Sequence, residues 1–350
     1  MLELRDINIQ LGDFSLEGIN INVSRGDYFI LLGVSGAGKS MLLETIAGLV
    51  KPDSGTIRLN CFDITNEKIQ NRNIGLVFQD HAVFPHLTVS ENIIYALHNS
   101  QLSKNEKREK VKNIAKELDI TELLNRRPET LSGGELQRVA LGRTLIQQPK
   151  ILLLDEPLAS LDTRLKGELR RLLRMIHRKG QTILHVTHDY EEALSLSTRI
   201  AVINEGKIIQ AGTPMEVFHH PKSEFVAHFV GVKNFFPASV VMEDKVSFAV
   251  VDNNIHFRIV TEESGFEGFV LIRGEDILLS NELVETSATN NFTGRVTEVV
   301  PSLGGMDVTI DIGIEIHALI TRESQLKLGI SEGNICWVHF KATAVRFIRS

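Results

Sequence analysis

Apolar and polar residues alternate along the first two dozen positions: Leu2 and Leu4, then Ile7, Ile9 and Leu11, then Ile19, Ile21 and Val23. A period of two with a break at Gly12-Asp13 predicts an antiparallel β-ribbon. "DYFILLGVSGAGKS" follows as a buried strand running into a glycine-rich loop. From about Ser90 to Gln148 the period becomes helical, and "KNEKREKVKNIAKELDI" lines up Val111, Ile114, Ala115 and Leu118 on one face, with its charges solvated on the other. "KILLLDEP" and "TILHVTHD" are short and nearly all apolar, which is the pattern of parallel strands covered by helices on both sides. Between them "TRLKGELRRLLRMIHRKG" predicts an amphipathic helix closed by Gly180. Strand, helix and strand in this order define an α/β, doubly wound sheet.

Beyond about Phe229 the texture changes. "FVLIRG", "DVTIDIGIEIHALI", "ICWVHF" and "AVRFIR" are short strands separated by Gly, Asn, Ser and Glu, with one short helix expected at "TRESQLKLG". They predict a small all-β, barrel-like module. The boundary is expected near residues 230 to 236, giving domains 1–232 and 236–350, with a helical insert over about 88–148. Two domains also suit a 350-residue chain, which is longer than one core usually serves.

Composition narrows the function classes. A net charge of −6 lacks the basic excess that wrapping nucleic acid requires. Cys61 and Cys336 stand far apart, without metal-ligand or redox spacing, and predict two structural thiols in a reducing compartment. No apolar run approaches the roughly 20 residues that cross a bilayer. The expectation is an intracellular chain whose membrane role runs through a partner.

"GVSGAGKS", comprising Gly33, Val34, Ser35, Gly36, Ala37, Gly38, Lys39 and Ser40, fits the phosphate-loop pattern. Its glycines let backbone amides curl round a polyphosphate, Lys39 balances charge on the β- and γ-phosphates, and Ser40 offers a hydroxyl to Mg²⁺. Asp155, at the end of the apolar run "ILLLD", is placed to hold the Mg²⁺ shell, and Glu156 beside it to polarise the attacking water. A second anion-holding start lies at "LSGGELQR", where Ser132 and two glycines precede a helix whose free N–H groups and dipole face outward. Taken alone, Gln79 in "GLVFQD" reads as a polar strand end and His188 in "HVTHD" as an ordinary histidine.

The order of phosphate loop, Gln79, "LSGGE", "LLLDEP", "ASLD" (Ala159 to Asp162) and His188 resembles the ATP-binding cassette ATPases over residues 1 to about 230. That resemblance implies a P-loop NTPase with a RecA-like core, an antiparallel β-subdomain and a helical insert, working with ATP and Mg²⁺. It implies a head-to-tail pair of copies in which Ser132, Gly133 and Gly134 act on the nucleotide of the other copy, with Asp162 at the seam. His188 would contact the γ-phosphate, and Gln79 would sense Mg²⁺ and link the core to the insert. Glu135 stands where many members have Gln, and the aromatic that usually stacks on adenine is represented only by Leu11 and Phe14 nearby.

Within that family the chain resembles ATPase subunits of importers that use an extracytoplasmic substrate-binding protein and carry a C-terminal β-module of OB/TOBE-like type. "LIRGEDILLS" is similar to their Ile-Arg-Pro-Glu-Asp segment, with Gly274 in place of Pro, and "TVSENIIYAL" to the insert that receives an integral membrane permease. The implied location is the cytoplasmic side of the cell membrane, as a peripheral subunit. "SATNNFTGRV" and "KAT" are similar to elements of molybdate-binding β-domains, with Thr289 in the usual Arg position. A tetrahedral dianion only accepts hydrogen bonds, and Ser287, Asn290, Lys341 and Thr343 offer donors. The tail is then either a sensor of cytoplasmic molybdate or tungstate that inhibits transport, or a dimerisation module of an importer for sulfate, ferric ion, sugar or polyamine. A soluble cassette ATPase acting on nucleic acid or ribosomes is the third reading; a single cassette, a short insert and the acidic balance weigh against it.

Overall fold

The computed structural model describes residues 1–159, 161–252, 255–261, 265–302 and 304–349, and the chain divides into two compact units, Met1–His219 and His220–Ser350. In the first unit, β1 (Leu2–Leu11), β2 (Phe14–Val23) and β3 (Tyr28–Leu32) precede α1 (Lys39–Ala47). Strands β4 (Ser54–Leu59), β5 (Phe62–Asp63) and β6 (Ile74–Val77) then lead to α2 (Val89–Tyr95), α3 (Lys104–Glu117) and α4 (Gly133–Leu145). Strand β7 (Ile151–Asp155), α5 (Thr163–Arg178), β8 (Thr182–Thr187), α6 (Tyr190–Leu196), β9 (Arg199–Asn204), β10 (Lys207–Gly212) and α7 (Pro214–His219) complete it.

The expected ribbon is present: β1 and β2 pair antiparallel, with Leu11 opposite Phe14 across a two-residue turn, in a sheet of order β2-β1-β4-β5. The second sheet has the order β10-β9-β3-β8-β7-β6; β9, β3, β8, β7 and β6 run parallel, and β10 is antiparallel to β9. Every residue of β3, β7 and β8 is buried, which is why these runs lack alternation. One core joins the ribbon (Leu2, Ile7, Ile19), α1 (Leu42, Leu43, Ile46) and the parallel sheet (Phe29, Leu153, Val186). Each such side chain contributes about 1.5–3 kcal/mol, so this core fixes the glycine-rich loop at both of its ends. Because β3, β6, β7 and β8 are parallel, Gly33, Gln79, Glu156 and His188 all follow the carboxyl ends of strands and arrive at one edge of the sheet.

The helical insert is α2 to α4. Gly142 lies where its helices meet: a Cβ there would come 3.1 Å from Leu118 and 3.4 Å from Ile93. Helices α2 and α3 each begin with a capping box, Thr88 with Glu91 and Ser103 with Glu106.

The second unit contains α8 (Glu224–Phe229), β11 (Asn234–Glu243), β12 (Val246–Val251), β13 (Ile255–Ile259), β14 (Glu267–Ile272), β15 (Leu278–Ser280) and β16 (Asn290–Ser302). It continues with β17 (Gly305–Asp311), β18 (Glu315–Ile320), α9 (Arg322–Leu328), β19 (Ile335–Phe340) and β20 (Arg346–Arg349). Two antiparallel sheets, β13-β12-β11-β14-β20 and β15-β19-β16-β17-β18, close over a shared core that includes Phe257, Val270, Ile310 and Val338. The short helix expected at "TRESQLKLG" is α9, ended by Gly329 at φ 65°. The division between units falls at His219/His220, ahead of the change in texture near 230. Helix α8 accounts for the difference, because Ala227 clusters with Val232, Phe235 and Leu271 of the second unit.

Candidate active site

The phosphate loop leaves β3 at Gly33 and enters α1 at Lys39. Gly36 (φ 81°) and Gly38 (φ 100°) adopt the left-handed conformation that lets the loop curl. Gly38 is also pressed from outside: a Cβ would lie 2.6 Å from Leu16 Cδ2 and 2.8 Å from Phe14 Cζ. Lys39 is only 5% exposed, and its ammonium donates to Gly33 O and Val34 O, both at 2.9 Å, so it spans the loop from within. Burial pulls that ammonium below its ordinary range, against the opposing pull of Glu156 and Asp155.

Ser40 Oγ donates to Asp155 Oδ1 at 3.0 Å, which brings together the two oxygens expected to hold Mg²⁺. Burial pushes the Asp155 carboxyl above the usual carboxylate range, with Glu156 and Glu44 adding to the effect and Ser40 and Lys39 opposing it. A hard cation relieves that penalty. Two protein oxygens fit Mg²⁺, which keeps its remaining positions for water and phosphate.

Glu156 follows β7 at φ 41°, a left-handed turn for a residue with a Cβ, and its N–H donates to Val186 O at 3.1 Å. The turn brings its carboxylate within 3.6 Å of Lys39 Nζ and 3.1 Å of His188 Nδ1. His188 remains half exposed, with one ring nitrogen on Glu156 and the other free to face a ligand.

Gln79 is exposed in a turn two residues beyond β6, at the same sheet edge. Ser132 caps α4 in a capping box: Glu135 N–H donates to Ser132 Oγ at 3.4 Å, and Glu135 Oε2 accepts from Ser132 N–H at 2.7 Å. The glutamate that departs from the family pattern therefore closes the helix start. Gly133 and Gly134 lie against Leu161 and Leu165, which a Cβ would approach to 3.3 and 3.2 Å. Asp162 caps α5, accepting from Leu165 N–H at 3.0 Å; Ser160 of the "ASLD" segment lies outside the described residues. Ser132 to Gly134 and Asp162 thus open two neighbouring helices, α4 and α5.

A cavity of about 440 Å³ beside the loop is lined by Asp13, Phe14, Ser15, Val34 to Ala37, Asn204 and Glu205. Phe14 lines it, whereas Leu11 is 59% exposed and outside it. Two supporting residues escaped the sequence reading. Arg72, buried, donates to Thr45 O (2.9 Å) and Ile46 O (2.8 Å) at the end of α1. Asn92, also buried, accepts from Phe84 N–H (2.8 Å) and donates to Phe84 O (3.0 Å), Leu87 O and Thr88 O (3.1 Å each), fixing the loop before α2. For Asn92 the available signal was a polar residue in the apolar phase of α2, beside Val89 and Ile93.

In the tail, Asn290 opens β16 opposite Phe340, next to Lys341, so the strand register brings these two positions together. The Asn290 carboxamide is taken up, however, accepting from Arg258 N–H at 2.7 Å and donating to Arg258 O at 3.0 Å. It is 3% exposed and braces β13, with its oxygen and one amide N–H committed to that strand. Ser287, Lys341 and Thr343 are exposed.

A glycine loop on a buried lysine, a Ser-Asp pair for Mg²⁺ and a Glu-His pair at the edge of a parallel sheet define a P-loop ATPase of the cassette type. The ABC transporter family profile matches residues 16–159 and the TOBE domain residues 286–347. The chain is 41% identical, over 99% of both chains, to the molybdate/tungstate import ATP-binding protein WtpC of Pyrococcus abyssi. It is also 36% identical to the sulfate/thiosulfate import ATP-binding protein CysA 2 of Shewanella oneidensis over 96% of each. A third relative is the sn-glycerol-3-phosphate import ATP-binding protein UgpC of Vibrio cholerae, 43% identical over 87% of this chain and 86% of that protein. Among solved structures, cbiO1 of Clostridium perfringens, part of the transporter complex cbiONQ, aligns with TM-score 0.58 at 34% identity, covering 63% of this chain and 90% of that one. A dimeric ATP-binding cassette in a post-hydrolysis state with ADP and Pi aligns with TM-score 0.55 at 28% identity, covering 61% and 99%. The chain belongs to the ATP-binding proteins of the ABC transporter family; it is an importer-type ATPase subunit that couples ATP hydrolysis to transport. Among the described residues no helix is long and apolar enough to cross a membrane.

Proposed function

We propose that this subunit powers uptake of molybdate or tungstate through a separate integral membrane permease fed by an extracytoplasmic substrate-binding protein. The observation that carries this cargo is the 41% identity to a molybdate/tungstate import subunit along 99% of both chains. The nucleotide chemistry follows from the site. Lys39 and the loop amides hold the β- and γ-phosphates, and Ser40 and Asp155 hold Mg²⁺, which neutralises charge developing on the phosphates. Glu156 accepts the proton of the attacking water, and His188, oriented by Glu156 through Nδ1, contacts the γ-phosphate through Nε2. Gln79 senses the metal from the turn after β6. Ser132, Gly133 and Gly134 serve the nucleotide of a second copy, across a seam where Asp162 sits. That arrangement is supported by the glycine-bearing start of α4, which leaves backbone N–H groups without side chains over them, and by the dimeric state of the aligned cassette. Phe14 carries the base, because it lines the cavity beside the loop and Leu11 does not. The permease docks on the insert near α2, where exposed Tyr95 packs edge-on against Phe84 and Arg143 lies 4.5 Å over the Phe84 ring.

The tail senses the cytoplasmic oxyanion. Ser287, Lys341 and Thr343 are the donors, and Asn290 braces the strand beside them. Such a ligand inhibits only through higher affinity for the separated state of the two ATPases. The test is the ATPase rate of the purified subunit–permease complex with millimolar molybdate, tungstate or sulfate. Inhibition by the first two supports the reading, and an unchanged rate with both defeats the sensor.

A further inference from the structure

The loop that carries His188 is anchored by groups the nucleotide chemistry leaves unused. It runs from Thr187, the last residue of β8, to Tyr190, the first of α6. Asp189 ties it from above: its carboxylate accepts from the N–H groups of Glu191 (2.8 Å) and Glu192 (3.2 Å), and its own N–H donates to the Thr187 hydroxyl at 3.0 Å. Arg170 of α5 reaches the same carboxylate at 3.6 Å and Glu191 at 3.7 Å, and Lys166 approaches Asp189 to 3.8 Å. The loop is thereby joined to the helix that Asp162 caps.

From below, Glu192 turns back toward β8. It is 2% exposed, and its carboxylate lies 3.4 Å from His185 Nε2. His185 Nδ1 in turn meets the Tyr28 phenol of β3 at 3.1 Å, and both of these residues are fully buried. Burial raises the Tyr28 pKa well above its usual value, so the phenol keeps its proton. The ordering that satisfies the chain has Tyr28 O–H donating to Nδ1 and the imidazole N–H directed at Glu192. Burial alone would favour a neutral Glu192, but the neighbouring His185 and Thr187 and the Arg170 charge outweigh it and hold the carboxyl below its usual range.

A buried charge held by β3, β8 and α5 is expensive to build and calls for a reason. It is also under-bonded. His185 Nε2, Glu192 Oε2 and Arg170 Nε are buried without a formed hydrogen bond, since 3.4 Å is ion-pair contact rather than good hydrogen-bond geometry. Such slack beside a catalytic loop leaves room for the loop to tighten.

We propose that Glu192 is a positioning residue for His188: the Tyr28–His185–Glu192 chain and the Arg170–Asp189 contact fasten the loop to β3, β8 and α5 in the setting from which the imidazole reaches the γ-phosphate. This rests on the assignment of His188 to that phosphate. Glu192 touches neither nucleotide nor metal, so its loss acts on turnover and leaves ATP binding intact.

The experiment compares Glu192→Gln, Arg170→Gln and His188→Ala in the full-length chain, reading kcat, KM for ATP and the Kd of a fluorescent ATP analogue, with thermal melts to verify folding. Glu192→Gln is expected to lower kcat about 10-fold and Arg170→Gln about 3-fold, with KM and Kd within about 2-fold of the parent, because a misplaced group slows the step without weakening binding. Unchanged kcat in a folded Glu192→Gln variant, or KM rising in step with the fall in kcat, overturns the positioning role. If Glu192→Gln does not fold, partly exposed Arg170 decides by the same criteria. Loss of turnover in His188→Ala with none in the other two sinks the positioning role alone, whereas wild-type turnover in His188→Ala sinks the γ-phosphate assignment and the proposal with it.

Discussion

Asp155 shows at the scale of one residue how a site trades stability for function. Its carboxyl sits above the ordinary range, chiefly because it is buried. For an acid shifted upward, the folded state is favoured fully below the unfolded pKa, and that advantage is lost as pH rises through the folded value. At neutral pH the metal-free fold therefore carries an ionised, poorly solvated carboxylate. Asp155→Asn keeps an acceptor for Ser40 and removes the charge, so it should raise the Tm of the nucleotide-free chain at pH 7.5 while abolishing Mg²⁺-dependent hydrolysis. The gain should fade as the pH is lowered toward the carboxyl range, and melts across that range check the sign. Motif spacing made this residue legible in the sequence; its burial was not, since that depends on α1 and β8 closing around the end of β7.

At the scale of an element, α4 has two duties at one end. On the proposed function its start exposes free N–H groups to a nucleotide, yet the same groups destabilise a helix left uncapped. Ser132 and Glu135 resolve this by a reciprocal pair of hydrogen bonds, leaving Gly133 and Gly134 without side chains over the remaining donors. Ser132→Ala should cost about 1 kcal/mol of stability. Glu135→Gln should cost much less, because Gln serves at the same position of a capping box. Urea melts of the two variants separate these outcomes. The helix was readable from Ser-Gly-Gly followed by a charged residue, and so was the ribbon from its period of two. Glu192 and Asn92 were not: a polar residue in an apolar phase shows only that something buried will need a partner, and the partners here lie on β3, β8 and the loop before α2.

For the whole molecule, the two units have separate cores, but their boundary is set by packing rather than by texture. Val232 and Phe235 belong to the cluster that holds α8, so a cut at 235/236 leaves both apolar side chains without their Leu271 partner. Truncation after His219 should give a first unit that melts in one cooperative step. Truncation after Phe235 should aggregate more readily on warming, and light scattering during thermal ramps of the two fragments decides between them. The change from apolar helix residues to short strands places a boundary near 230 to 236, whereas the compact units divide at His219/His220. It missed α8 because a six-residue helix carries too little periodicity to assign itself to either neighbour.

What the sequence determined by itself was local: strands with no alternation must be buried on both faces, and a glycine loop ending in Lys-Ser must meet phosphate. Those constraints act over a few residues and leave a periodic trace. Tertiary structure alone decided which polar groups are spent and which are free. Asn290 reads as a ligand donor, and in the fold Arg258, 32 positions away, engages its oxygen and one N–H; Glu192 carries no local mark, and the sheet sets it 3.4 Å from His185, itself bonded to Tyr28. A hydrogen bond is settled by distance in space, and the strand order that creates those distances is a property of the whole sheet.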